Sequence, residues 1–422
     1  MGDDGTMVEL LYDATTRATQ FAVRRPDGSV SVERAFDAPG GDQLLPYSAT
    51  NNLITTGCVL LPAEVGEFRD KGDLVAEVRA FLHRYVDLSP LFEEIAPYYV
   101  LLSWVYDAFQ ELPMVRFRGD YGTGKTRALL AVGSLCYKPF FASGASTVSP
   151  IFHILDAFRG TLVLDEADFR FSDATAELTK VLNNGTVDGL PVLRTMANRH
   201  RELNPQAFRV FGPKLVAMRK SFNDEALESR FLTEETGGRP LRADIPIHLP
   251  KGLATEALQL RNKLLAWRFA ARHLVGPDPS RLIEGVEPRM NQTALALLSL
   301  VDDAAARDRI RAALVGEYAA LRAERGDGLD AVMLGVLVEL FDTAAGLGVP
   351  VNDVAQGFNA VAGADLGHPM SNKWVGGFLR NRLRLRTMKT GGVYVVPREE
   401  RARVAALAAR AGIEAKPSPA FL

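Results

Sequence analysis

The sequence predicts an α/β fold: a parallel sheet around a glycine-rich loop, a helical region after it, a small β-containing region before it, and a winged helix at the C-terminus. Three observations predict it. From Met114 to about Pro250 short apolar runs alternate with helical stretches, the pattern of a parallel sheet with crossover helices. Gly119-Asp120-Tyr121-Gly122-Thr123-Gly124-Lys125-Thr126 fits G-x-x-x-x-G-K-[ST] at every fixed position. Thr161-Leu162-Val163-Leu164 is a strand-forming run that ends in Asp165-Glu166.

Length and composition admit such a fold. The 422 residues suggest two to four domains, and 47% hydrophobic with 24% charged residues is ordinary for a soluble globular chain. Collagen, coiled coil, long disorder and a disulfide scaffold are excluded as the main architecture. A net charge of −2 excludes a uniformly basic coat for nucleic acid but leaves room for local basic patches. Cys58 and Cys136 belong to no metal-binding spacing, so zinc is not expected, and their scarcity fits a reducing cytoplasm. The acidic start has no secretory h-region, and its match to a bare myristoylation pattern is of the kind that arises by chance. The apolar stretch from Ile95 to Phe109 is too short to span a bilayer and contains Asp107. The expectation is a soluble, cytoplasmic protein without membrane partners.

Taken in order, residues 18–62 read as short strands, with Pro26-Asp27-Gly28-Ser29 as a hairpin turn. Leu74–Tyr85 has helical apolar spacing, and Leu91–Phe109 is a helix apolar almost all round, hence buried. Val115–Arg118 is the strand before the glycine loop and Arg127–Cys136 lies on the helix after it. Leu253–Arg325 is helical, broken at Gly276-Pro277-Asp278-Pro279, and Gly326-Asp327-Gly328 is a linker. Leu329–Ala345, Val351–Val361 and Ser371–Arg380 give three helices, the last N-capped by Ser371. Arg384–Thr387 and Val393–Val396 form a wing turned at Gly391-Gly392. The domains expected are 1–90, a β-rich region of unassigned role; 91–250, the sheet; 251–325, a helical lid; and 329–400, the winged helix.

The chemistry follows from the residue types. Glycines let backbone N–H groups turn toward phosphate oxygens, and a helix N-terminus adds partial positive charge. Gly119, Asp120, Tyr121, Gly122, Thr123, Gly124, Lys125 and Thr126 therefore form the candidate nucleotide cradle. Lys125 would reach the β- and γ-phosphates, and Thr126 would ligate Mg²⁺. Asp165 at a strand end would also serve Mg²⁺, and Glu166 would polarise the attacking water. Asp165-Glu166-Ala167-Asp168 also spells a superfamily 2 helicase box, but the Ser-Ala-Thr and Arg-rich motifs of that class are missing, so the match is coincidental. Phe211-Gly212-Pro213-Lys214-Leu215-Val216-Ala217-Met218-Arg219 reads as a strand, followed by Ala226-Leu227-Glu228-Ser229-Arg230-Phe231. Arg230 is read as a finger toward a neighbouring subunit's γ-phosphate; the competing reading is a surface salt-bridge arginine.

These motifs together resemble the AAA+ ATPases, over about Leu112–Pro250 with the helical lid beyond. More narrowly the chain is similar to ATP-binding proteins of phages and plasmids, with distant kinship to minichromosome maintenance-like helicases of mobile elements. The resemblance implies ATP and Mg²⁺ as ligands, a ring-shaped homo-oligomer such as a hexamer, and two sensors. Arg219 stands where the family has Asn, Thr or Ser, a departure, and is the sensor 1 candidate. Arg289, in Glu287-Pro288-Arg289, is the sensor 2 candidate; a locally capped helix-start arginine fits the same residues.

Nucleic acid has two candidate contacts. A hairpin from Gly189 to Phe211 carries Arg194, Arg199 and Arg201 and is similar to the pore hairpin of AAA+ helicases. From Ser371 to Lys389 the chain has Lys373, Arg380, Arg382, Arg384, Arg386 and Lys389 and no acid, which suits phosphate contacts to duplex DNA from the third helix and wing. The expected function is an ATP-hydrolysing motor on DNA, a helicase or replication-initiation ATPase of a mobile element. The alternative is a nucleotide-dependent switch that assembles a complex on DNA or a protein without unwinding.

Overall fold

The computed structural model describes residues 4–38, 40–165, 173–197, 203–222, 224–286, 288–326, 329–344, 346–362 and 369–413. The chain divides into two compact units, Met1–Ala313 and Leu314–Leu422.

The first unit opens with an antiparallel meander of β1 (Met7–Asp13), β2 (Ala18–Arg24) and β3 (Val30–Glu33). The expected turn joins β2 and β3: Asp27 Oδ1 accepts from the Ser29 N–H at 2.9 Å and Gly28 takes a φ of +88°. Strand β1 escapes the sequence pattern because Glu9 and its neighbour Leu10 are both buried, so no polar alternation marks it. The described residues of 34–62 hold only the two-residue strands Phe36–Asp37 and Gln43–Leu44 and a short helix, Asn52–Thr55, so the strands expected there are mostly turns. This segment nonetheless covers a sheet edge, with Phe141 N–H donating to Cys58 O and Leu60 N–H to Pro139 O.

Helix α1 (Lys71–Tyr85) starts a turn before the apolar pattern does, because Asp70 caps it and accepts from the Asp73 N–H. Helix α2 (Pro90–Trp104) has Ser89 as its cap and Pro90 at N1. It is buried nearly all round, as expected, and ends five residues early in a 3₁₀ turn, Tyr106–Ala108, where Arg268 and Arg272 hold Asp107.

The central sheet has five parallel strands: β4 (Met114–Arg118), β5 (Phe140–Ser143), β6 (Leu162–Asp165), β9 (Lys214–Met218) and β10 (Phe231–Glu235), in the order β10-β4-β9-β6-β5. Helices α3 (Lys125–Gly133), α4 (Val148–Phe158) and α5 (Asp173–Asn184) connect them. The antiparallel pair β7 (Val192–Ala197) and β8 (Leu203–Phe208) stands outside this sheet. Its Val192, Met196 and Phe208 pack on the core formed by Phe152, Leu164, Val216 and their neighbours. A short helix α6 (Glu225–Glu228) precedes β10. Helices α7 (Gly252–Ala271), α8 (Pro288–Leu298) and α9 (Ala304–Gly326) follow, with the expected break between α7 and α8; the boundary of the two units falls within α9, after Ala313. Among the described residues no helix is long and apolar enough to cross a membrane.

The second unit holds α10 (Leu329–Thr343), β11 (Gly348–Pro350), α11 (Val351–Ala362), α12 (Asn372–Asn381), β12 (Met388–Thr390), β13 (Val393–Pro397) and α13 (Arg401–Arg410). Its three strands pair antiparallel in the order β11-β13-β12. Met333, Leu337, Phe358, Val375, Leu379 and Val396 form its core. The strand expected at Arg384–Thr387 lies instead at Met388–Thr390, because Leu383 and Leu385 are both buried and Arg384, between them, turns the chain at a φ of +56°. Strand β11 and helix α13 are further elements that the sequence pattern did not mark.

Candidate nucleotide site

The order of the sheet builds the site. Parallel strands release their C-terminal ends on one side, so β4 delivers the glycine loop and β6 delivers Asp165 to the same edge, with β9 between them. Gly119, Gly122 and Gly124 have φ values of +159°, +76° and +91°. Gly124 is the residue before α3 and offers no side chain to cap it, so the first-turn N–H groups of that helix face the loop unclaimed by a side-chain cap.

Lys125 Nζ donates to the Asp120 carbonyl at 2.5 Å, inside the curve of the loop. Thr126 Oγ1 donates to Asp165 Oδ2 at 2.9 Å. A hydroxyl and a carboxylate so placed are hard oxygen donors, the kind that magnesium takes alongside phosphate oxygens and water. Among the described residues no group of three or more His, Cys, Asp and Glu side chains could hold a metal by itself. Arg219 leaves the end of β9 beside the loop. Its guanidinium lies 4.4 Å over the Tyr121 ring and donates to the Tyr121 hydroxyl. Tyr121 itself is 80% exposed at the crown of the loop.

The end of β10 is a participant that the motifs did not mark. Thr236 N–H and Oγ1 both reach the Arg118 carbonyl, at 2.7 and 3.0 Å, and Thr236 Oγ1 lies 2.8 Å from Thr123 Oγ1. The glycine pair Gly237-Gly238 directly after a strand is the sequence signal that could have found it.

Arg230 and Arg289 stand elsewhere. Arg230 precedes β10, and its carbonyl accepts from Met114 N–H, so it lies at the end of the sheet opposite the glycine loop. Its Nη1 donates to Asn183 O at 2.7 Å and to Thr186 Oγ1. Burial, and then the like charge of Arg289, hold its pKa below the ordinary arginine value. Arg289 also acts on Asp224: burial there is outweighed by hydrogen bonds from Asn183, Ala226 and Leu227 and by the Arg289 charge, which lower the carboxyl pKa. The charge of Arg289 is thus felt by Arg230 and Asp224.

The hairpin turns Arg194 inward, where it pairs with Glu177 at 2.9 Å and lies 5.0 Å over the Phe152 ring. The opposite face of the hairpin exposes Leu193, Thr195, Leu203, Pro205 and Ala207. In the second unit Lys373, Arg384 and Arg386 are exposed. Arg380 donates to Thr387 Oγ1 at 3.1 Å, and Arg382 pairs with Asp330 on α10 at 3.0 Å. Glu166, Arg199 and Arg201 lie outside the described residues.

No protein-family model matches the chain, and no curated protein matches it in sequence. The chain is distantly similar to several solved structures. The apo C-terminal region of NrS-1 aligns at 11% identity and a TM-score of 0.41 over 92% of this chain and 96% of that one. The SCCmec type IV Cch active helicase aligns at 11% identity and 0.36 over 96% and 94%. Cdc6p from Pyrobaculum aerophilum aligns at 12% identity and 0.19 over 83% and 98%. At TM-scores below 0.5 none of these similarities bears on function.

Proposed function

We propose that this chain is an AAA+ ATPase that acts as a motor on DNA, working as a homo-oligomer, with a hexamer as the leading ring size, in the replication of a mobile element. The observation that carries the reading is the Thr126–Asp165 contact of 2.9 Å at the open N-terminus of α3, with Lys125 beside it. A hydroxyl from the first turn of α3 and a carboxylate from the end of β6, brought together beside a lysine, suit a nucleoside triphosphate and its magnesium. When bound, the ion neutralises phosphate charge, and Thr126 and Asp165 are the residues that would hold it.

The chain's own groups then divide the work. Lys125 exchanges the Asp120 carbonyl for the β- and γ-phosphate oxygens. Glu166 orients a water and takes its proton as the water oxygen bonds to the γ-phosphorus and the bond to the β-phosphate oxygen breaks. Arg219 sits at the crown of the loop as the sensor. Arg230 and Arg289, at the far end of the sheet, form one cationic group that serves the nucleotide of the adjacent subunit. In this reading residues 91–250 are the ATPase core and 251–325 the lid. Residues 329–400 are a winged helix that meets duplex DNA through Lys373, Arg380, Arg384 and Arg386, and single-stranded DNA passes the hairpin tip at Arg199 and Arg201.

One observation favours the switch as a second reading: the described face of the hairpin is uncharged, and its Arg194 is turned inward. Turnover by the purified protein, with and without single-stranded DNA, separates the two. A motor gives DNA-stimulated hydrolysis that Lys125→Ala and Arg230→Ala each reduce at least 100-fold, with partial recovery when the two variants are mixed. Slow turnover indifferent to DNA selects the switch. No recovery on mixing removes the trans role of Arg230.

A further inference from the structure

Strand β10 ends against the glycine loop in a reciprocal contact. A Cβ built on Gly119 would lie 2.4 Å from the Thr236 carbonyl and hydroxyl oxygens. A Cβ built on Gly237 would lie 2.4 Å from Thr123 Cγ2, and Gly237 has a φ of +87°. Each chain segment therefore offers a bare glycine to the other's threonine. The closeness has a chemical content. Thr236 Oγ1 and Thr123 Oγ1 are 2.8 Å apart, and Thr123 Oγ1 donates to the Asp120 carbonyl at 2.9 Å. That carbonyl is the one that holds Lys125 Nζ. With its hydroxyl proton turned from the Arg118 carbonyl, 3.0 Å away, toward Thr123, Thr236 donates to Thr123 Oγ1, and the relay ends on the atom where the lysine rests.

The strand that presents Thr236 is itself anchored. Buried Glu234 accepts from the Ser89 N–H and hydroxyl, both at 2.6 Å, at the cap of α2. Buried Arg116 on β4 donates to Thr233 Oγ1 at 3.0 and 3.2 Å and pairs with Glu228 at 2.6 Å. A fixed strand end is what a flexible phosphate loop needs if its N–H groups are to stay in place before the ligand arrives.

We infer that Thr236 and Gly237 are positioning residues of the nucleotide site, which hold the phosphate loop in its binding shape through Thr123. This rests on the nucleotide reading above. The pair acts on the loop through Thr123. It keeps Asp120 O supplied with a donor when Lys125 leaves it, and so lowers the cost of releasing the lysine to the ligand.

The test uses the full chain, Mg²⁺ and a fluorescent ATP analogue, with Lys125→Ala as the reference for a lost site. Thr236→Val is expected to weaken nucleotide binding about tenfold, as the loss of one supporting hydrogen bond does, while kcat at saturation stays within about twofold. Thr236→Ser keeps the hydroxyl and is expected to restore affinity. Thr123→Val cuts the same relay, so the double variant should bind no worse than either single one. Gly237→Ala, which pushes Thr123 without removing a hydroxyl, should also weaken binding and serves if Thr236→Val does not fold. Wild-type affinity in Thr236→Val or, failing that variant, in Gly237→Ala overturns the inference alone, as do multiplicative losses in the double variant. A wild-type chain that binds no nucleotide, or a Lys125→Ala chain that binds it equally, overturns the nucleotide reading and this inference with it.

Discussion

Glu9 is a buried carboxylate among cations. It accepts from Arg268 Nε at 2.7 Å, from the Tyr137 hydroxyl at 2.6 Å and from Lys138 Nζ at 2.8 Å. Asp107 receives the other side of the Arg268 guanidinium at 2.9 and 3.0 Å. Burial alone would raise both carboxyl pKa values; Lys138 and Arg268 override it for Glu9, and Arg268 and Arg272 for Asp107, leaving each at about 2. In the unfolded chain these groups titrate near 4.5 and 3.8, so between those values and 2 the unfolded state binds more protons. Their stabilisation is complete above about pH 5 and is lost as pH falls toward 2. Glu9→Gln leaves Lys138 without its carboxylate and buried Arg268 with Asp107 alone, and is expected to cost about 3–5 kcal/mol at neutral pH while flattening the acid limb. Urea titrations at pH 7 and pH 3.5 check it, and an unchanged acid limb would refute it. This cluster was not legible in the sequence, where an acid on a short strand reads as surface. The glycine loop was legible because its pattern fixes Gly119, Gly124, Lys125 and Thr126 together.

At the scale of elements, β7 and β8 show how alternation decides which residues are available. Arg194 shares its face with Val192 and Met196, and that face packs on the core. Arg194→Ala is therefore expected to lower stability by no more than about 1.5 kcal/mol, through its ion pair and ring contact. It should leave single-stranded DNA affinity and its salt slope unchanged. Fluorescence anisotropy across a salt series checks this, and a slope reduced by about one would return Arg194 to the phosphate-contacting set. The existence of the hairpin was readable from two strand-like runs with a basic stretch between them. Which face turned inward was not, since one residue of register exchanges the two faces, and what fixes it is packing: Val192, Met196 and Phe208 on the core, Arg194 on Phe152 and Glu177. The antiparallel pair β12 and β13 was likewise readable but its first strand was misplaced, because buried Leu383 and Leu385 resemble a strand while Arg384 is a left-handed turn residue.

The molecule as a whole consists of two units with separate cores, and the sheet, the glycine loop, Thr236 and Arg230 all belong to the first. A chain ending at Gly326 is expected to unfold cooperatively and to keep nucleotide hydrolysis within about twofold, while duplex DNA binding falls at least tenfold. Calorimetry and anisotropy check the two halves of that statement, and retained duplex binding would move the duplex contact into the first unit. Strand order was beyond the sequence, since apolar runs do not state their neighbours. It is the strand order, with β10 beside β4, that brings Thr236 to the loop.

Strand β10 has one more consequence at this scale. Arg230 stands at its entry and Thr236 at its exit, about 20 Å apart at the rise of an extended chain. The five residues between them pair with β4 along their whole length, with no glycine or proline to bend the run. If Arg230 serves a neighbour, this strand is a stiff rod with one end in each of two active sites. A rod transmits a push without storing it, so the emptying of one site is felt at the next as a change in the shape of its phosphate cradle.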